Sequence, residues 1–257
     1  MDIVFVGAGR LATNLASALK QNGHRIVAVW SRTIDSARAL SAMVGGEATN
    51  NLDSLPRQAD AFVVAIKDAA LAEVISQLCK GRENQVFFHT AGSMPLSVFA
   101  GQTQHGGVLY PMQTFSKERL VDFSCVPVFI EGADDETLQV ARQLAESVSQ
   151  EVRELSSADR KHLHLAAVFA CNFANHCYAL SAKILERHGL PFEVMLPLID
   201  ETARKVHTMH PLDAQTGPAI RYDQNVIEAQ KALLSDDASS QEIYDIMSKS
   251  IYRLAND

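Results

Sequence analysis

The chain has 257 residues, of which 47% are hydrophobic, and this is enough to bury one large core or two modest ones. Its formal net charge of −7 argues against nucleic acid or an anionic membrane as the main partner. The four cysteines form no CxxC pair and no metal-ligand spacing, which predicts free and mostly buried thiols.

The first predicted element is a buried strand, Ile3 to Val6, that runs into the glycine-rich turn Gly7-Ala8-Gly9-Arg10-Leu11-Ala12. Apolar residues at helical spacing follow this turn and end at Asn22-Gly23. The strand begins almost directly after Met1, so we expect no targeting peptide and a cytoplasmic location.

The glycine-rich turn has the residue types that a dinucleotide pyrophosphate needs at a helix N-terminus. Gly7 permits a tight turn, Gly9 lets backbone N–H groups approach phosphates, and Ala12 lets the helix pack closely on the strand. We therefore predict that Gly7, Gly9, Arg10 and Leu11 bind a dinucleotide cofactor. The alternative is an ordinary α/β turn without a nucleotide.

The residues after the second strand, Ile26 to Trp30, indicate which dinucleotide is bound. An acidic residue there would bind the ribose 2′-hydroxyl of NAD, whereas this chain has Ser31-Arg32-Thr33. An arginine beside small polar residues accommodates a 2′-phosphate, so we predict NADP(H). In the alternative interpretation Arg32 is a solvated surface charge and Asp35 binds the ribose, but Asp35 better suits the first turn of the next helix.

Strands and helices continue to alternate as far as Leu155, which predicts a doubly wound Rossmann sheet. Ligands of such sheets lie beyond the C-terminal ends of the strands. Three segments are predicted to follow strand ends there: Ile66-Lys67-Asp68, the stretch from His89 through Thr90, Ala91 and Gly92, and Tyr110 to Gln113. We predict that the first two bind the cofactor and that Gln113 binds substrate, although polar turns occur at these places in any α/β protein.

The sequence changes character at Ser156, where strands stop and helices begin, so we predict a Rossmann domain over 1–155 and an all-α domain over 156–257. Ser156 is predicted to cap a helix that runs to His188, with Gly189 as its stop. Its middle is apolar nearly all round and should be buried, while its histidines and asparagines exclude an ordinary membrane span. We therefore predict a homodimer through the C-terminal helices. Further helices are predicted over 192–207, bent at Pro197, over 218–234, and over 241–254, capped by Ser239.

One face of this long helix is polar. At about 100° per residue, Lys161, His164, Asn172 and Asn175 share a face about 80° wide. Hydride transfer to a C=O or C=N centre needs a proton donor, so Lys161, His164 and Asn172 are candidate catalytic residues and Asn175 a candidate substrate ligand. The alternative is that His164 and the asparagines only hydrogen-bond the loops packed against the helix.

Two motifs near the C-terminus complete the candidates. In Thr216-Gly217-Pro218-Ala219-Ile220-Arg221, Thr216 and Arg221 could anchor a substrate carboxylate or phosphate, although Gly217-Pro218 is explained by a turn and a helix start alone. His207 and His210 have a metal-like spacing, but no carboxylate or cysteine joins them, so we predict no metal site.

The N-terminal half, with Gly7-Ala8-Gly9, Ser31-Arg32-Thr33, Ala65-Ile66-Lys67 and Thr90-Ala91-Gly92, resembles pyrroline-5-carboxylate reductases and deazaflavin-dependent NADP oxidoreductases. With Tyr110 to Phe115, Ala167 to Asn172, Thr216-Gly217-Pro218, Arg221 and Asp223, the whole chain resembles bacterial Rossmann-like NADP oxidoreductases whose C-terminal half is a domain of unknown function. The resemblance implies a dimeric, 6-phosphogluconate-dehydrogenase-like architecture with a cleft between two domains, and it implies no substrate.

The chain departs from the related β-hydroxyacid dehydrogenases. Their Lys-x-x-x-Asn pair would need asparagine four residues after Lys161, where Leu165 stands. We therefore expect an NADP-dependent oxidoreductase of a small carbonyl or imine acid with different catalytic residues. The alternatives are a non-catalytic NADP(H)-binding sensor or scaffold, and a fold used for something other than a nicotinamide.

Overall fold

The computed structural model describes residues 1–256. Within that range eight strands form a sheet. In chain order the strands are β1 Asp2–Val6, β2 Arg25–Trp30, β3 Glu47–Thr49, β4 Ala61–Val64, β5 Phe87–His89, β6 Gly106–Pro111, β7 Val128–Gly132 and β8 Val152–Glu154.

The strands are ordered β3-β2-β1-β4-β5-β6-β7-β8 across the sheet. Neighbouring strands are parallel except β6 and β7, which pair antiparallel from Gly107 opposite Gly132 to Pro111 opposite Val128. Because the first six strands have the order of a doubly wound dinucleotide fold, the predicted fold class is confirmed. The sequence analysis missed β3, whose three residues at the sheet edge are too few to show a pattern.

Four α-helices connect strands of the sheet: α1 Arg10–Gln21, α2 Ile34–Val44, α3 Asp68–Leu78 and α4 Asp135–Val148. Helix α5 Ser157–Ala167 follows the last strand, and short 3₁₀ helices lie at Leu52–Ser54, Leu96–Phe99 and Phe123–Cys125.

Two hydrophobic cores cover the two faces of the sheet because successive side chains of a strand point to opposite faces. Ile3 and Phe5 of β1 belong to one core, with buried residues of α1, α2 and α4. Val4 and Val6 belong to the other, with Leu71 and Ile75 of α3. Because β1 is buried on both faces, its sequence from Ile3 on is an unbroken run of apolar residues.

The chain divides into two compact units, one of residues 1–172 and one that begins at Phe173. The second unit contains the helices α6 Ala174–Arg187, α7 Leu196–Lys205, α8 Pro211–Ala214, α9 Gln224–Ala232 and α10 Ala238–Asn256, and 3₁₀ helices at Phe192–Met195 and Pro218–Arg221. The functional division at 155/156 stays a prediction.

The segment predicted as one long helix is helical from Ser157 to Arg187, but it is not a regular α-helix throughout. The Ser156 side chain accepts a hydrogen bond from the Asp159 N–H at the start, and Gly189 adopts a left-handed φ of +68° at the end, as predicted. Between α5 and α6, residues Val168–Phe173 form a π-helix. Arg160 is the sole buried residue of these three segments, so the expected burial is not provided within one chain.

Three other expectations about the helical half are wrong in detail. Residues 192–207 form a 3₁₀ turn followed by α7, in whose first turn Pro197 needs no hydrogen-bond partner, so they are not one bent helix. The helix expected over 218–234 breaks at Tyr222, which adopts a left-handed φ of +51°. The cap of the last helix is Asp237, whose carboxylate accepts from the Ser240 N–H and hydroxyl, and not Ser239.

None of the described helices is both long and apolar enough to cross a membrane. All four cysteines are free, yet Cys79 alone among them is buried, while Cys125 and Cys177 are exposed. The expectation that most thiols are buried is therefore wrong.

Candidate functional site

The turn after β1 is shaped by two glycines with different roles. Gly7 has a φ of +123°, and a Cβ there would lie 2.2 Å from the Ala65 carbonyl oxygen, so the fold itself requires glycine. A Cβ at Gly9 would meet no heavy atom within 4 Å. The backbone at Gly9 is therefore exposed and leaves open space for a ligand.

Helix α1 begins directly after Gly9 and offers its N-terminus to that space. Its first turn has neither a side-chain cap nor an acidic residue. Uncapped N–H groups at the positive end of a helix dipole attract anions. The residues present thus fit a pyrophosphate at Arg10 and Leu11.

The end of β2 also fits a phosphorylated ligand. Arg32 is exposed and has no ion pair or hydrogen bond within residues 1–256. Asp35 lies in the first turn of α2, with its carboxylate 3.9 Å from the Arg38 guanidinium. Because no carboxylate follows β2 directly, Arg32 has no neighbouring negative charge in Ser31 or Thr33 to compete with a phosphate.

The loops after β4 and β5 are tied to each other. Lys67 precedes the first turn of α3, and Asp68 in that turn accepts a hydrogen bond from the Ser93 hydroxyl. The Ala91 N–H donates to His89 Nδ1 over 3.2 Å. Ile66, Lys67 and Asp68 thus lie beside Thr90, Ala91 and Gly92, at the ends of adjacent parallel strands.

The next strand end carries a hydrogen-bonded pair from two distant parts of the sequence. Tyr110 lies near the end of β6, and its hydroxyl is 3.0 Å from Nδ1 of His164 on α5. The two rings meet edge to face, with centroids 6.0 Å apart. Gly92 packs against both, since a Cβ there would lie 2.5 Å from His164 Nδ1 and 2.9 Å from the Tyr110 ring.

A cavity of about 550 Å³ lies beside this pair. Polar groups in its wall come from Tyr110, Gln113, Thr114, His164 and Asn172, and the remainder is mostly apolar. Such a mixture of apolar surface and a few polar groups is typical of small-molecule sites.

The π-helix forms part of the cavity wall through Val168, Ala170, Cys171 and Asn172. A π turn contains one more residue than an α turn, so it rotates later side chains back by roughly 100°. In a regular helix Asn172 would lie roughly 80° from His164, and the extra residue reduces this to roughly 20°. Single π turns often occur at functional sites.

A buried ionic network supports the start of α5. Arg160 is 1% exposed, and its guanidinium pairs with Glu131 of β7 and donates to the Met94 carbonyl over 2.6 Å. Glu131 also accepts hydrogen bonds from the N–H and hydroxyl of Ser157. The network fixes α5 to β7 and to the loop after β5, and thereby places His164.

The Arg160 charge acts on two neighbouring titratable groups. Burial, and after it the charge of the guanidinium, lower the pKa of His89 to about 4. Burial raises the pKa of Tyr110, and the guanidinium opposes this rise. Both groups are therefore held neutral at physiological pH.

The remaining predicted residues are not in this cavity wall. Lys161 is exposed on α5. Asn175, Thr216 and Arg221 belong to the second unit and are exposed there. Their substrate roles stay predictions.

Sequence reasoning missed the Tyr110–His164 contact and the role of Arg160. Tyr110 was singled out only as a strand-end residue, and a separation of 54 residues gives no local signal for its partner. Arg160 gave no signal of its burial either, because charged side chains are seldom fully buried.

A possible metal cluster was also not anticipated. His105, Asp134 and Glu136 place ligand atoms within 4.8 Å of one another, and this is the one such group among the described residues. Asp134 already accepts from the N–H and hydroxyl of Thr137 as the cap of α4, which explains its position without a metal.

Two family models match different parts of the chain. The family described as NADP oxidoreductase coenzyme F420-dependent matches residues 2–88, and a domain of unknown function, DUF2520, matches residues 126–251. No curated protein matches the chain significantly.

Solved structures resemble the chain over nearly its whole length. A Bacteroides fragilis protein named as a putative NADP oxidoreductase is 51% identical, with a TM-score of 0.95 and 98% of each chain covered. A Thermotoga maritima protein is 26% identical, with a TM-score of 0.82, covering 99% of this chain and 100% of that one. A 1-pyrroline-5-carboxylate reductase from Streptococcus pyogenes shares the fold, with 17% identity, a TM-score of 0.66 and 98% of each chain covered.

Proposed function

The chain belongs to the family of NADP oxidoreductases represented by its Bacteroides fragilis relative, and from this we propose that it is an NADP-dependent enzyme that acts on a small carbonyl or imine acid. The observation that carries the proposal is the Tyr110–His164 pair, which lies beside a cavity near the end of β6, at the same edge of the parallel strands as the glycine-rich turn after β1. Hydride chemistry on C=O or C=N needs a proton donor at such a place.

The cofactor is held by residues at the ends of four adjacent strands. Gly7, Gly9, Arg10 and Leu11 take the pyrophosphate, and Ser31, Arg32 and Thr33 take the 2′-phosphate of NADP. The loops of Ile66 to Asp68 and of Thr90 to Gly92 hold the nicotinamide half. When bound, NADPH supplies the hydride.

On the substrate side, the chain supplies proton transfer and orientation. His164 contributes the imidazole in the cavity wall, and Asn172 and Gln113 orient the substrate oxygen or nitrogen. In the same proposal Lys161 is a second proton donor, and Asn175, Thr216 and Arg221 bind the acid group of the substrate. The name of the Streptococcus pyogenes enzyme, a reductase of a cyclic imine acid, supports this substrate class.

Oxidation of NADPH by a panel of small keto acids, aldehydes and cyclic imines tests the proposal. We expect turnover by the native chain and a kcat at least about 100-fold lower in His164→Ala, with NADPH binding unchanged. The matched control is His162→Ala, because His162 is an exposed histidine of the same helix, and it should retain full activity. Tight NADPH binding without turnover of any panel member would instead favour the non-catalytic sensor.

We also propose a homodimer through the C-terminal helices. Large apolar side chains such as Leu165, Leu198 and Leu233 are 56%, 63% and 81% exposed, and surfaces of this kind mark protein interfaces. Sedimentation at micromolar concentration should give twice the mass of one chain, and a monomer would refute the proposal. The cytoplasmic location stays a prediction.

A further inference from the structure

The position of Tyr110 indicates a chemical role beyond packing. Its ring is 7% exposed at the end of β6, yet its hydroxyl faces His164, and both residues line the cavity. A phenol hydroxyl donates one hydrogen bond and accepts others, so it can contact His164 and a substrate atom together.

Gly92 places the pair at the cofactor edge of the sheet. It belongs to the loop after β5, which is proposed to hold the nicotinamide half, and its backbone touches both the Tyr110 ring and the His164 imidazole. A methyl group at this position would displace one or both rings. The loop therefore restricts where the Tyr110 ring and the His164 imidazole can lie relative to the end of β5.

Arg160 makes the loss of the Tyr110 proton less costly. A phenolate formed in a buried site is penalised by desolvation, and a nearby cation offsets that penalty. Arg160 is itself buried, and its charge is held by Glu131. It is thus a positioning and electrostatic residue that needs no contact with the substrate.

We propose that Tyr110 is the catalytic residue that gives the substrate its proton, and that His164 returns a proton to Tyr110 through Nδ1. As the hydride reaches the carbon of the C=O or C=N bond, the Tyr110 O–H bond breaks and an O–H or N–H bond forms on the substrate. Imidazolium at His164 then re-protonates the phenolate, and solvent re-protonates the imidazole. This assignment rests on the proposed function and refines it, because it makes His164 the relay and Tyr110 the direct donor.

The test compares Tyr110→Phe with Tyr244→Phe in the full chain. Both substitutions remove one hydroxyl and its hydrogen bond, since the Tyr244 hydroxyl donates to Gln230 over 2.7 Å in the second unit. We expect Tyr110→Phe to lower kcat at least about 100-fold with little change in KM or in NADPH affinity, and Tyr244→Phe to leave all three unchanged. His164→Ala should also lower kcat, with little change in NADPH affinity.

A readout without substrate separates this assignment from the proposed function. In ¹⁵N-histidine spectra of the protein, the Nδ1 resonance of His164, identified by its loss in His164→Ala, should shift in Tyr110→Phe and not in Tyr244→Phe. A native kcat in Tyr110→Phe, or an unshifted His164 resonance, would overturn the assignment and leave the proposed function standing. A different outcome is that the native chain binds NADPH but turns over no substrate, while the His164 resonance shifts in Tyr110→Phe as expected. That outcome would overturn the proposed function and the catalytic role of Tyr110, but the Tyr110–His164 hydrogen bond would stand.

Discussion

The two glycines of the first turn show how a single residue can serve the fold or the ligand. At Gly7 an added methyl group would collide with the Ala65 backbone, whereas at Gly9 it would enter open space. Gly9 also has an ordinary φ of −80°, so alanine is tolerated there without strain. A fingerprint in the sequence does not distinguish these two requirements.

Substitution of each glycine by alanine should separate them. Gly9→Ala should leave the urea midpoint of unfolding nearly unchanged and weaken NADPH binding at least about tenfold, because the methyl group occupies the phosphate position. Gly7→Ala should lower the free energy of unfolding by about 2 kcal/mol or more. Normal NADPH affinity in a folded Gly9→Ala variant would contradict the proposed pyrophosphate position.

The sequence predicts those parts of the site that are formed by contiguous residues, and it misses those formed by residues far apart in the chain. The turn from Gly7 to Arg10 and the Ser31-Arg32-Thr33 segment are contiguous, so their residue types indicate a ligand directly. The Tyr110–His164 pair joins β6 to α5 and leaves no such trace. Arg160 is a buried charged residue. Because charged side chains are almost never fully buried unless they are paired, neither composition nor spacing predicts its position.

At the scale of elements, the strands were predictable because burial on both faces produces unbroken apolar runs. The π-helix at Val168–Phe173 was not, since its residues suit an ordinary α-helix and one extra residue in a turn leaves no mark in the apolar pattern. Its consequence is geometric, because it rotates Asn172 toward the direction of His164 in the cavity wall. The break at Tyr222 was missed for a related reason, since left-handed tyrosine is uncommon.

The attachment of α5 to the sheet depends on the Arg160–Glu131 pair. Glu131→Gln should lower the free energy of unfolding by about 3 kcal/mol, because it leaves a buried guanidinium without a counter-charge. The matched control is Glu154→Gln, because Glu154 is exposed and its partner Arg142 is only partly buried, and it should cost less than about 1 kcal/mol. Urea unfolding measures the loss of unfolding free energy in both variants. An equally small loss in the two would show that the network does not hold α5.

At the scale of the whole molecule, buried His89 makes stability depend on pH. Its pKa falls from 6.5 in the unfolded chain to about 4 in the folded one, so the unfolded chain takes up the proton first as the pH falls. This stability is fully present above pH 6.5 and is lost between pH 6.5 and 4, by about 3 kcal/mol. In His89→Phe, urea unfolding measured between pH 6.5 and 4 should no longer show this loss of unfolding free energy with falling pH. An unchanged pH dependence would mean that other groups cause it.

In the proposed function the chain binds NADP(H), with the pyrophosphate at the start of α1 and the 2′-phosphate at Arg32. Isothermal titration of the native chain and of Arg32→Ala with NADPH and NADH tests it most directly, with Arg38→Ala of α2 as the control arginine. We expect the native chain to bind NADPH more tightly than NADH. NADPH affinity should fall about 10- to 100-fold in Arg32→Ala alone, with little change for NADH. Tighter binding of NADH, or no heat with either nucleotide, would contradict it.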